Sequence, residues 1–224
     1  MVRRSGGTRP PRPLTLHEVM RAAVELADVE GVSSLSMRKL SARLGVEAMS
    51  LYHHVAGKEA ILDGMVDMTY SEIEPPAAGM QWRSALQRRT VSARTVLLRH
   101  PWAISLMSSR RNPGPATLRH HDAVIGSLRR DGFSISQAAT AFSLIDSYLF
   151  GFVMQELNLP FQSGDELVEV SGPIMETVVD LDLPYLTELI VGHALQPGYA
   201  YAEEFLIGLE IVLDGISSLR SSTA

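Results

Sequence analysis

The side chains best equipped for chemistry stand close together between positions 38 and 58. Met49, Ser50, Tyr52, His53 and His54 place a thioether, a hydroxyl, a phenol and two imidazoles in one short run, interrupted only by Leu51 and preceded by Ala48. Arg38, Lys39, Arg43 and Lys58 surround that run with positive charge. Hydrogen-bonding and aromatic groups ringed by cations suit the edges of base pairs and the phosphates beside them. They suit metal binding poorly. Neighbouring histidines on a helix diverge by about 100°, so neither His53-His54 nor His120-His121 can readily chelate one ion. There is no His-Glu-x-x-His pair, no Gly-x-Ser-x-Gly elbow and no phosphate loop. The 224 residues contain no cysteine, which removes thiolate ligands, cysteine nucleophiles and disulfides. No cofactor and no metal is expected, and nothing in the pattern calls for an enzyme.

Two short helices must hold that run in place. Ser36 is the cap of the first, whose buried side carries Leu40 and Leu44, and Gly45 ends it. Val46-Glu47 leads into a second helix, Ala48 to His54, and Gly57 closes it. Leu40, Leu44, Val46 and Leu51 can pack the pair together, with the small Ser41 at their closest approach. That is the geometry of a helix-turn-helix, whose second helix lies in the major groove. Spacing alone also fits an ordinary αα corner of a helical bundle. The exposed chemistry of Met49 to His54, with one ring facing DNA and the other packed on the preceding helix, favours the groove. A preceding helix starts at the capping box Thr15-x-x-Glu18, staples Leu14 to Val19 and stops at Gly31. A following one starts near Lys58 and buries Ile61, Leu62, Met65 and Val66.

Charge divides the same way. Residues 1–60 carry +3 and the remainder −8, against −5 for the whole chain. A basic front on an acidic body suggests that only the front meets a polyanion. Residues 1–13, rich in Arg, Gly and Pro, read as a flexible basic arm. Arg3 and Arg4 are followed by Gly, Thr and Pro, which is not a signal peptide. No apolar run approaches the roughly eighteen residues of a membrane span. A cytoplasmic protein is expected.

Glu74 to Gly79 reads as a linker, and beyond it the patterns are helical only: 82–99, 102–108, 115–131, 135–158, 165–178, 183–194 and 199–219. Breaks are expected at Pro101, 112–115, Asp131-Gly132, Pro160, Gly172-Pro173 and Pro197-Gly198. The fold class is all-α: an N-terminal three-helix helix-turn-helix domain, residues 14–72, and a larger helical ligand-binding and dimerisation domain, residues 80–224. In 135–158, Ala138, Phe142, Ile145, Leu149 and Phe152 form one stripe, and Leu144, Tyr148 and Gly151 a second. In 199–219, Leu206 and Leu213 compete with Tyr201, Phe205, Leu209, Val212, Ile216 and Leu219. A helix apolar on two sides needs two neighbours: the core and a second subunit, or the core of a monomer on both sides. His100, Trp102, Met107, His121, Phe142, Asp146 and Tyr148 are candidates for a ligand pocket, and the apolar ones among them fit plain core equally well.

The run Leu35-Ser36-Met37-Arg38-Lys39-Leu40-Ser41-Ala42-Arg43-Leu44-Gly45-Val46, then Leu51-Tyr52-His53-His54-Val55 and Lys58-Glu59, resembles the DNA-binding domain of the TetR family over about residues 15–66. Arg99-His100-Pro101-Trp102, Leu128 to Phe133 and Tyr148-x-x-Gly151 resemble the tetracycline-repressor-like ligand domain. The resemblance implies a homodimeric repressor on a palindromic duplex operator, released by a small-molecule effector. It further implies that Tyr52 and Lys58 hold backbone phosphate, and that Arg38, Ala48, Met49, Ser50 and His54 approach bases or phosphates. The repressor that names the family carries an amide where this chain has Ala48, so its two-point contact with adenine is unavailable here. A helical interaction adaptor or a small helical enzyme stands as the alternative.

Overall fold

A computed structural model describes residues 14–161 and 164–221, and every element among them is helical. The basic arm at 1–13 lies outside the described residues. Helix α1 (Leu16–Glu30) begins at the expected capping box: Thr15 Oγ1 accepts the Glu18 N–H at 3.2 Å, and the Glu18 carboxylate accepts the Thr15 N–H at 2.8 Å. Helix α2 (Met37–Leu44) is capped by the Ser36 hydroxyl, which accepts the Lys39 N–H at 3.2 Å. Gly45 then takes φ +66°, the left-handed turn that a side chain would resist, and swings the chain into α3 (Ala48–Tyr52). Leu40 on α2 and Leu51 on α3 are both fully buried where the two helices pack. Helix α4 (Lys58–Glu72) buries Ile61, Leu62, Met65 and Val66 as its spacing predicts.

Helix α4 is shared property, since it packs on α1 and also on α6 (Ala103–Ser109) and α7 (Pro115–Arg130). The larger body is α5 (Trp82–Arg99), α7, α8 (Ile135–Asn158) and α11 (Tyr201–Ser221), with α8 touching each of the other three. Its corner is fixed where the Trp82 N–H donates to Asp131 Oδ2 at 2.6 Å.

The later elements differ from expectation in three places. Helix α9 (Gly164–Asp180) runs through Pro173 instead of breaking there. A proline removes one backbone donor, and the Thr177 hydroxyl bonds the Pro173 carbonyl at 3.1 Å. The single helix expected over 183–194 divides into α10 (Pro184–Leu189) and a π-turn over Ile190–Ala194. On α11, Leu213 joins Phe205, Leu209 and Ile216 in the core, while Leu206, Ile207 and Ile211 are more than half exposed. No helix among the described residues is long and apolar enough to cross a membrane.

Candidate nucleic-acid interface and buried polar cluster

The short helix α3 has a single core anchor, Leu51, and its other residues are half-buried or exposed. Met49 is 69% and Tyr52 50% exposed. Ala48 and Ser50 are half-buried. The helix ends at Tyr52, two residues earlier than expected, and His53 and His54 sit in the turn after it. Both residues are exposed, so neither is buried against the preceding helix, as one of them was expected to be.

The cations around α3 fall into two kinds. Lys39 Nζ pairs with Glu30 at 2.7 Å and Arg43 with Glu25 at 3.0 Å, ties that brace α2 against α1. Arg38 and Lys58 are exposed and have no acidic partner among the described residues. Gly57 caps α4 without a side-chain bond, so the first amides of that fifteen-residue helix stand open beside Lys58.

A second concentration of polar groups lies inside the body. Arg89 is 1% exposed, yet its Nε–H donates to His120 Nε2 at 2.8 Å and its Nη1 to Asp146 Oδ1 at 2.6 Å. The Tyr70 ring stands 5.4 Å from His120 and 5.3 Å from His121, and His121 meets Phe142 edge-on at 5.1 Å. Burial, and secondarily the Arg89 charge, push His120 down to about 3, so its ring is neutral and Nε2 accepts. His121 is lowered by burial as well. Burial, and then Asp146, push the Tyr70 phenol up to about 12. The cluster therefore joins α4, α5, α7 and α8 through one buried cation.

Of the seven pocket candidates, His121, Phe142 and Asp146 converge on this cluster and the other four do not. His100 and Trp102 reach the DNA-proximal helices: Asp28 of α1 accepts from the Trp102 indole at 2.6 Å and faces His100 Nδ1 at 2.7 Å. Met107 is a half-buried residue packed on the core. Tyr148 donates to the Phe205 carbonyl at 2.8 Å and stacks on the Phe205 ring at 5.6 Å. Sequence reasoning missed Arg89 and Tyr70. The signal for Arg89 was present: Trp82, Leu86, Arg89, Ala93 and Leu97 trace one buried face of α5, with a cation in its middle.

Residues 19–65 match the family described as bacterial regulatory proteins of the tetR family, and residues 75–220 match the tetracyclin repressor-like C-terminal domain. The chain belongs to the TetR family. One relative is the HTH-type transcriptional repressor DrrR1 of Streptomyces coeruleorubidus, 31% identical over 221 residues, which are 95% of this chain and 81% of that one. Another is the class A tetracycline repressor from transposon 1721 in Escherichia coli, 31% identical over 205 residues and 90% of each chain. Among solved structures, apo ActR from Streptomyces coelicolor shares the fold at TM-score 0.75 and 23% identity, covering 95% of this chain and 99% of that one. TetR-family chains are regulators rather than enzymes, in keeping with the lack of a nucleophile or cofactor anchor in the sequence.

Proposed function

We propose that this TetR-family chain is a homodimeric repressor that reads a near-palindromic operator with α3 and is released by a small molecule bound in the larger body. The observation that carries the DNA half is α3 and the turn after it: one buried leucine, an outward thioether and phenol, exposed histidines, and on either side Arg38 and Lys58, which have no acidic partner among the described residues. Tyr52, Lys58 and the open amides of α4 fit phosphate. Met49, Ser50, His53, His54 and the small Ala48 fit base edges, with Met49 against a thymine methyl. Arg38 and Lys39 fit the flanking backbone, Lys39 by trading Glu30 for phosphate.

Dimerisation is supported by the outward sides of α8 and α11. Leu144 and Met154 on the first, with Ile207 and Ile211 on the second, are 46–67% exposed. Gly151 and Gly215 lie among them with open space above, so a second pair of helices can come close. Such a patch on a lone chain is a partner surface. A twofold axis would present two copies of α3 to successive major grooves. We assign residues 14–72 to DNA and 80–224 to ligand and partner, and place the protein in the cytoplasm with its operator.

Helix α4 couples the halves. Asp67 accepts the Ala116 N–H at 3.2 Å and the Thr117 N–H at 2.7 Å at the start of α7, while Asp63 and Glu59 hold Arg110 at 2.6 and 2.8 Å. A ligand that shifts α7 drags α4, and with it the spacing of the two recognition helices. A mobility shift with the DNA flanking its own gene tests this reading. Failure to retard that duplex, or any duplex selected from a random pool, would sink it.

A further inference from the structure

Arg89 keeps its proton at any accessible pH, and among the described residues its one counter-charge is Asp146. His120 supplies an acceptor without charge. The ion pair is lopsided: the Asp146 side chain is 13% exposed and the Arg89 side chain 1%. Tyr70, His121 and Phe142 contribute aromatic faces and edges beside it.

We infer that the effector is an aromatic anion, a carboxylate or an ionised phenol, whose oxygen takes the place of Asp146 on Arg89 while its ring lies among Tyr70, His121 and Phe142. The inference rests on the ligand-released reading given above and names the chemistry of that site. Three ligand classes would meet the pair differently. A neutral apolar molecule wedged between the partners would leave two uncompensated charges in a poorly solvated place. A cation would take Asp146 and leave the buried Arg89 without a counter-charge. An anion leaves Arg89 paired, and Asp146, nearer the surface, turns outward to be hydrated. The guanidinium fork also offers paired N–H donors that match a carboxylate. Loss of the Asp146 bond removes one of the two ion pairs that tie α8 to α5 among the described residues, Arg94 with Glu156 being the other, and a ring against Tyr70 presses on α4, the helix that carries Lys58.

The probes are 1-hydroxy-2-naphthoate and its neutral amide, 1-hydroxy-2-naphthamide, which share a shape and differ in charge. Calorimetric titration of the full chain should find the acid about tenfold tighter than the amide, or more. The Arg89→Gln/Asp146→Asn double variant replaces the ion pair with a neutral pair of similar shape, and the preference should vanish. Asp146→Asn alone should bind the acid about tenfold more tightly than the parent chain. Should that variant be too unstable to titrate, a rise in its Tm with the acid and not with the amide reports the same vacancy on Arg89. Equal binding of acid and amide, binding of neither, or a preference that survives in the double variant overturns the inference. None of these measurements contains DNA, so a chain that failed to bind operator would refute the repressor reading without touching this result.

Discussion

On the proposed reading Tyr52 and Lys58 face phosphate and Met49 faces base edges, and these two kinds of position answer differently to salt. Lys58→Ala should weaken binding to operator and scrambled duplex alike and lower the slope of log affinity against log salt by about one. Met49→Ala should leave that slope alone and narrow the gap between the two duplexes. Titrations at several salt concentrations separate them; a Lys58→Ala variant with an unchanged slope would remove α4 from the backbone. The buried cluster makes its own prediction through His120. Its folded-state pKa of about 3 lies below the ordinary 6.5, so between those values the unfolded chain takes up a proton that the folded chain refuses. Stability should be level above pH 6.5 and fall as pH drops below it. His120→Gln, which can still accept from Arg89, should flatten that limb of a Tm-against-pH plot; an unchanged limb would mean other groups carry the acid sensitivity. The outward chemistry of α3 was legible because exposure of a short polar run follows from having one leucine to bury. The pairing of Arg89 with Asp146, fifty-seven positions apart, was not legible, because periodicity tells which face a residue takes and not which residue faces it.

Helix boundaries repeat this division among the elements. Caps are local, so Thr15 and Ser36 announced the starts of α1 and α2 through bonds spanning three residues, and the structure adds a capping box of the same span at Ser134 before α8. The cap of α7 is not local. Its amides bond Asp67 from α4, and Gly114 is required there because a side chain would run into the Asp67 carboxylate. Asp67→Ala should therefore cost about 1–2 kcal/mol, the worth of a good N-cap, seen as a lower urea midpoint with the same m-value. Gly114→Ala should destabilise in the same way without removing any polar group. A variant lacking Asp67 with full stability would show that α4 is held to the body by apolar packing alone.

For the whole molecule, the proposed dimer rests on the outward faces of α8 and α11. Ile207→Arg with Ile211→Arg puts two cations on residues that are 59% and 67% exposed in the single chain, so the fold should survive while the dimer does not. Light scattering should move from two chain masses to one, and tight operator binding should go with it. A wild-type chain that is monomeric at micromolar concentration and still binds its operator would refute the dimer. The all-α class, the helix-turn-helix and the two-sided character of the last helices are properties of period, cap and turn residues, which act within a few positions along the chain; the sequence alone determined them. Which apolar side of α11 stays open, which of seven candidate residues meet, and that a buried arginine lies at their centre depended on how distant helices cross. Those crossings are set by side-chain packing between segments far apart in the chain, and only the tertiary structure decided them.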